Sequence, residues 1–261
     1  MKKNDEILLT IESLSGDGKT IARQDGMVFF VEGAVPGDSV RARIVKRKKN
    51  YAEAKAIEIL SRSSLRTEPR CKHFGTCGGC KWQNLSYDAQ LRFKHQHVVD
   101  AFVRIGGFEN PTVLPVLGAE DSYFYRNKME FTFSNSRWLT DEEMLRKDEI
   151  TQEIALGLHV PQRWDKLVNV EECFLQSEIS ATIVNAVREI ARGWKLSVYS
   201  TETQEGYLRH LVIREGKRTG EVMVNLVTTN DWPEAMENLT DRKSTRLNSS
   251  HIQKSRMPSS A

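Results

Sequence analysis

The chain has 261 residues, 39% of them hydrophobic and 28% charged, a composition that excludes a fully disordered or membrane-embedded protein. Its formal net charge of +3 owes much to one end, because Lys243, Arg246, Lys254 and Arg256 stand in residues 243–261 without an acidic side chain; the remainder is near neutral, and any nucleic-acid footprint must be a local patch. Apolar runs such as Val28-Phe29-Phe30-Val31 fall far short of the ~18 residues that span a bilayer, and Ile7-Leu8-Leu9 meets Glu12 too soon for a secretory segment, so a cytoplasmic location is expected.

The length sets a prior of two domains. Residues 1–62 read as small and all-β, because strand-length apolar runs alternate with Ser15-Gly16-Asp17-Gly18, Asp25-Gly26 and Pro36-Gly37-Asp38. Asp-Gly between two such runs is a hairpin signal. Five short strands in so little chain imply a closed or nearly closed barrel. A polar break over residues 61–69 leads into a cysteine cluster. A helix is expected over residues 86–105, with Ser86 as N-cap, Leu91, Val98 and Phe102 at helical spacing, and Gly106-Gly107 closing it.

Beyond residue 108 strands and helices mix. Tyr125, Met129, Phe131 and Phe133 alternate with Arg126, Lys128, Glu130 and Thr132, which predicts a two-faced strand. A further strand is expected at residues 154–160. A helix is expected over 177–193, with Ile179, Ile183, Val187 and Ile190 inward, and a hairpin over 208–228. Asp231 and Glu234 form a capping box that opens a third helix. From about Asp241 the text turns serine-rich, acid-free and aperiodic. A native disordered tail would read this way, but the expectation is a foreign tail over 242–261 that replaces the true continuation.

Cys71, Cys77 and Cys80 are spaced C-x5-C-x2-C, and Cys173 follows far downstream. In a cytosolic chain, clustered thiols point to metal or redox chemistry rather than disulfides. Thiolates repel each other unless a cation compensates. Gly78 and Gly79 lack Cβ atoms, so backbone N–H groups can approach the sulfurs, as in iron–sulfur sites. Zinc sites more often use two short pairs. From spacing alone, iron–sulfur, zinc and unligated structural thiols all remain open. His73 reads as a polar loop residue, and His95 and His97 receive no role.

Arg41, Arg43, Lys46, Arg47, Lys48 and Lys49 form the densest cationic stretch outside the tail. Such a run is often only a solvated turn, but small barrels present similar strands and loops to single-stranded nucleic acid. Trp82, beside the cysteine cluster, and Tyr123 and Tyr125, beside Arg126 and Lys128, are candidates to stack on bases, although an aromatic taken singly is more often core.

The stretch from Cys71 through Cys77-Gly-Gly-Cys-Lys-Trp-Gln with its following helix, Tyr125-Arg-Asn-Lys-Met-Glu-Phe-Thr-Phe and Leu208-Arg-His-Leu-Val-Ile-Arg resemble the iron–sulfur-containing 23S ribosomal RNA (uracil-C5) methyltransferases. Val35-Pro-Gly-Asp-Ser-Val with the basic strand resembles their TRAM domain, an RNA-binding β-barrel. The resemblance implies a [4Fe-4S] cluster on Cys71, Cys77, Cys80 and Cys173. It implies RNA contacts by Arg41, Arg43, Lys46, Arg47, Lys48, Lys49, Arg126 and Lys128. In this family a cysteine thiolate attacks uracil C6, S-adenosylmethionine methylates C5, and a base removes the C5 proton. All four cysteines here match cluster ligands, and no glycine-rich nucleotide turn or acidic-Pro-Pro motif is present.

The expected fold is therefore α+β. A five-stranded OB-like TRAM barrel spans 1–62, and a mixed α/β central domain carrying the cluster spans 63–241. The Rossmann-like methyltransferase domain is expected to be absent and the chain inactive, with S-adenosylmethionine used only by a full-length parent. The expected partner is a single-stranded or loop region of ribosomal RNA, with no membrane or protein partner evident. The rival reading is a self-contained RNA-binding metalloprotein, with iron–sulfur or zinc and no catalysis.

Overall fold

The computed structural model describes residues 1–139, 141–149 and 153–230. The helix expected from Asp231, with Glu234, and the tail 242–261 lie outside the described residues. The chain divides into two compact units, Met1–Gly75 with Cys80–Ser122, and Thr76–Gly79 with the chain from Tyr123 onward.

The first unit is a six-stranded sheet of β1 (Glu6–Thr10), β2 (Ser13–Leu14), β3 (Thr20–Gln24), β4 (Met27–Glu32), β5 (Ser39–Arg47) and β6 (Tyr51–Ser61). Their order is β1-β5-β6-β4-β3-β2, with β4 and β6 parallel and the other pairs antiparallel. The Glu12 N–H, just past β1, donates to the Ile21 carbonyl in β3 at 2.8 Å, which draws the two flanks of the sheet toward each other. Alternation puts Phe29, Val31, Val40, Ala42, Ile44, Ala52 and Ala54 into one core. Asp25 and Gly26 both have positive φ, at 51° and 75°, and join Gln24 to Met27 as a tight hairpin turn. The expected five strands are corrected to six. The strand without a sequence signal is β2, whose two residues are too few to show a period.

Asp38 anchors the exit from this sheet. Its carboxylate is wholly buried. It accepts the Val35 N–H at 2.7 Å, the Ser63 N–H at 2.9 Å, and Arg66 Nε and Nη2 at 2.9 and 2.7 Å. Burial raises the pKa of a carboxyl, but the Arg66 guanidinium and the two backbone N–H groups outweigh it, so Asp38 lies below its ordinary value. The helix α1 (Tyr87–Arg104) belongs to this unit. It is held at its first turn, where Ala89 packs with Val35, Leu85, Trp82 and Phe93. Ser86 makes no side-chain cap bond, and Val98 and Phe102, which fall at helical spacing, are exposed.

The second unit is a five-stranded, wholly antiparallel sheet ordered β11-β10-β7-β8-β9. The strands are β7 (Lys128–Ser134), β8 (Ala155–Val160), β9 (Arg163–Asn169), β10 (Leu208–Glu215) and β11 (Val222–Thr228). One short helix, α2 (Asp141–Leu145), and one long helix, α3 (Glu178–Gly193), accompany it. The expected mixed α/β central domain is thus corrected, because every strand pair of this sheet is antiparallel and few helices accompany it. Met129, Phe131 and Phe133 are buried while Lys128 and Glu130 are exposed, as the strand's alternation implies. The buried line of α3 is Ser180, Val184, Arg188 and Ala191, while Ile179 and Ile190 are exposed. The inward face is rotated because polar groups on it find specific partners. Arg188 Nη1 donates to the Val170 carbonyl at 2.8 Å, and the Ser180 hydroxyl donates to buried Gln176 at 2.6 Å. Gln176 Nε2 in turn donates to the Ile213 carbonyl at 3.1 Å.

Candidate nucleic-acid interface

The cationic stretch lies on β5 and its hairpin to β6. Side chains on β5 alternate, so Ala42 and Ile44 enter the core while Arg41 and Arg43 face outward, and Lys46 faces outward past the register shift between Ile44 and Lys46. All three outward cations are met by acids on neighbouring strands. Arg41 pairs with Glu58 at 3.3 Å, Arg43 with Glu6 at 3.0 Å and Lys46 with Glu53 at 3.7 Å. Glu53 also accepts Lys19 at 2.8 Å. That bond holds the Glu53 carboxyl below the usual carboxylate range, against an opposing effect of burial. Such exposed pairs contribute little to stability, but they cancel charge locally. Arg47, Lys48 and Lys49, at the hairpin tip, are exposed.

Beside this tip stand two aromatic rings that sequence reasoning missed. Tyr51 opens β6 and Phe30 lies on adjacent β4, both half-buried. Their rings meet edge-on, with centroids 5.7 Å apart and planes at 82°. The available signal was position. Tyr51 follows the charge run directly and shares the outward parity of Glu53, but a charged turn hides the start of a strand. Trp82, a stacking candidate whose commoner place is a core, packs in the α1 cluster and donates Nε1–H to the Gly18 carbonyl at 3.3 Å.

On the second unit, Lys128 pairs with Glu130 at 3.4 Å and lies in register with Arg214 on β10. Arg126 is exposed, with its backbone N–H bonded to the Leu175 carbonyl at 2.8 Å. Tyr125 is 56% exposed, whereas Tyr123 packs edge-on with Phe174. His210 Nδ1 lies 3.3 Å from the Thr132 hydroxyl. Burial lowers the His210 pKa against the pull of Glu130, which favours the neutral imidazole.

All four cysteines are half-buried. Cys71 and Cys80 belong to the first unit, and Cys77 and Cys173 to the second. The Cys71 N–H donates to Gln83 Oε1 at 3.1 Å. The Gly79 N–H points at Cys77 Sγ at 3.4 Å, the approach that the paired glycines were expected to allow. Packing also requires those glycines. A Cβ on Gly78 would lie 2.6 Å from the His159 carbonyl oxygen, and one on Gly79 would lie 2.9 Å from Leu158 and 3.5 Å from Leu175. The Cys77 turn is thereby seated on β8 and against the segment that follows Cys173. Among the described residues, however, no three His, Cys, Asp or Glu side chains gather closely enough to hold a metal ion. The expectation of a cluster-bearing central domain is corrected to that extent, since no metal group is found among the described residues.

Residues 2–57 match the TRAM domain family. The chain is 45% identical, over 82% of its length, to a protein of Bacteroides thetaiotaomicron described as an uncharacterized RNA methyltransferase, of which it covers 47%. A Chlorobaculum tepidum protein of the same description is 43% identical over 87% of this chain, with 48% of that protein covered. The crystal structure of the Pyrococcus abyssi tRNA (uracil-54, C5)-methyltransferase in complex with S-adenosyl-L-homocysteine superposes with a TM-score of 0.58 and 28% identity. That match covers 88% of this chain and 48% of the other. The expected absence of a Rossmann-like methyltransferase domain is not supported by this match, which is to a methyltransferase structure holding S-adenosyl-L-homocysteine. No described helix is long and apolar enough to cross a membrane. This chain, which spans about half the length of the curated relatives it matches, is similar to proteins described as RNA methyltransferases and matches the TRAM domain family over residues 2–57.

Proposed function

We propose that this chain forms the RNA-recognition portion of an S-adenosylmethionine-dependent RNA (uracil-C5) methyltransferase, with residues 1–62 as its RNA-binding barrel and residues 63–241 as its central part. The observation that carries this reading is the match, over 88% of the chain, to a uracil-C5 methyltransferase structure. The proposed target is a uridine in a single-stranded or loop region of 23S ribosomal RNA. The uncompensated charge at the hairpin tip, together with Arg126 and Lys128, supports phosphate contact of the salt-sensitive kind. With Cys71, Cys77, Cys80 and Cys173 assigned as metal ligands, none of the four is left to attack C6.

The 261 residues are therefore expected to bind RNA and to transfer no methyl group. Binding to labelled 23S fragments and tRNA transcripts, with tritiated S-adenosylmethionine present, tests both halves. Tighter binding to tRNA would move the substrate to transfer RNA. Methyl transfer above background would overturn the division of labour.

The [4Fe-4S] cluster on the four cysteines is a proposal supported by their spacing and by the Gly79 N–H aimed at Cys77. Metal binding is coupled to folding, so its test is chemical. Anaerobically purified protein is expected to be brown and to contain iron and acid-labile sulfide. Cys173→Ala is expected to lose the iron and melt at a lower temperature. Stoichiometric zinc, or unchanged iron and melting in the variant, would contradict the assignment.

A further inference from the structure

We propose that Tyr51, braced edge-on by Phe30, and the hairpin cations Arg47, Lys48 and Lys49 form a site that stacks one base and holds the adjoining phosphates of a single-stranded RNA segment. This deepens the reading above and rests on it. Three observations converge. First, parity on β6 sends Ala52 and Ala54 into the core and leaves Tyr51 and Glu53 on the outer face. Tyr51 is thus an aromatic ring on the solvent side of the sheet, and the T-shaped contact at 5.7 Å fixes its orientation. A preset ring stacks on a base with little further loss of rotamer freedom, and stacking tolerates any base.

Second, the charge is divided unequally. Arg41, Arg43 and Lys46 face Glu58, Glu6 and Glu53, so the strand's cations are locally neutralised and offer little counterion release. Arg47, Lys48 and Lys49 make no ion pair among the described residues, and they sit together at the tip. Glu53, the acid nearest to Tyr51 along β6, is compensated by both Lys19 and Lys46 and does not repel a phosphate there.

Third, the turn couples the two parts. The Lys48 N–H donates to the Tyr51 carbonyl at 2.9 Å, so the cations and the ring are carried by one closed hairpin. Phosphates and base can be met at neighbouring points along one strand. The occupant is a flexible single strand, because a duplex keeps its bases stacked within the helix.

The test is fluorescence anisotropy with labelled oligouridine over a series of KCl concentrations, using the full chain and variants whose melting is checked. Tyr51→Ala is expected to weaken binding about tenfold with the salt slope unchanged, and Tyr51→Phe to bind as wild type. The triple Arg47→Gln, Lys48→Gln, Lys49→Gln variant is expected to reduce the slope of log K against log salt by about 2. Arg41→Gln with Arg43→Gln is expected to reduce the slope by clearly less than the tip variant does. Wild-type binding by Tyr51→Ala, or equal losses in the strand and tip variants, would overturn the site while leaving RNA recognition standing. If the unaltered chain binds neither oligouridine nor a 23S transcript, the RNA reading itself fails.

Discussion

Replacing Asp38 with alanine is expected to destabilise the first unit by about 3 kcal/mol, the lower end of the cost of breaking a buried ion pair from one side. The lower end applies because Arg66, the partner left behind, retains 17% side-chain exposure and can recover some water. The loss also includes two backbone donors, at Val35 and Ser63, that have no second acceptor in place of the carboxylate. Urea unfolding followed by tyrosine and tryptophan fluorescence reads the change as a lower midpoint. A midpoint within about 0.5 kcal/mol of wild type would mean that water replaces these bonds without cost. The pH dependence has a definite sign. The folded-state pKa is depressed, so the stabilisation is complete above the ordinary carboxylate value and is lost as the pH falls through the lower folded value. The alanine variant should therefore lose less stability than wild type on acidification through that window.

Phe131→Ala is expected to cost the second unit about 3–5 kcal/mol. Phe131 is 1% exposed and lies on β7, the central strand, in register with Leu211 of β10. Neighbours on both sides are ladder-bonded strands, so the sheet can collapse only slightly into the vacated volume. Differential scanning calorimetry is expected to show a lower-melting transition for this unit. A shift equal to that of an exposed control such as Ile179→Ala would show that the strand is not packed as described.

Local alternation made much of this architecture legible. The two-faced strand around Met129, Phe131 and Phe133 could be read directly, as could the Asp25-Gly26 hairpin, because both are encoded within a few residues. What escaped depends on partners far away in sequence. The inward face of α3 was misread because Arg188 Nη1 and the Ser180 hydroxyl are met by the Val170 carbonyl and Gln176, acceptors that no helical period reveals. The neutralised state of Arg41 and Arg43 depends on Glu58 and Glu6, which reach them only through strand pairing. The cysteines were legible as a pattern of spacing. Their division between the two units was not, since it follows from the Thr76–Gly79 turn packing with the second unit while its flanks pack with the first. Tyr51 was hidden by the charge run before it, although its outward parity matters more than the count of cations beside it.

The most direct measurement is equilibrium binding of the 261-residue chain to a uridine-containing single-stranded 23S fragment, with double-stranded DNA of equal length as the comparison, at increasing KCl. Saturable RNA binding, preferred over the duplex and weakening linearly in log K against log salt, is the expected result. Absence of association at low salt, or equal affinity for the duplex, would contradict a role in RNA recognition.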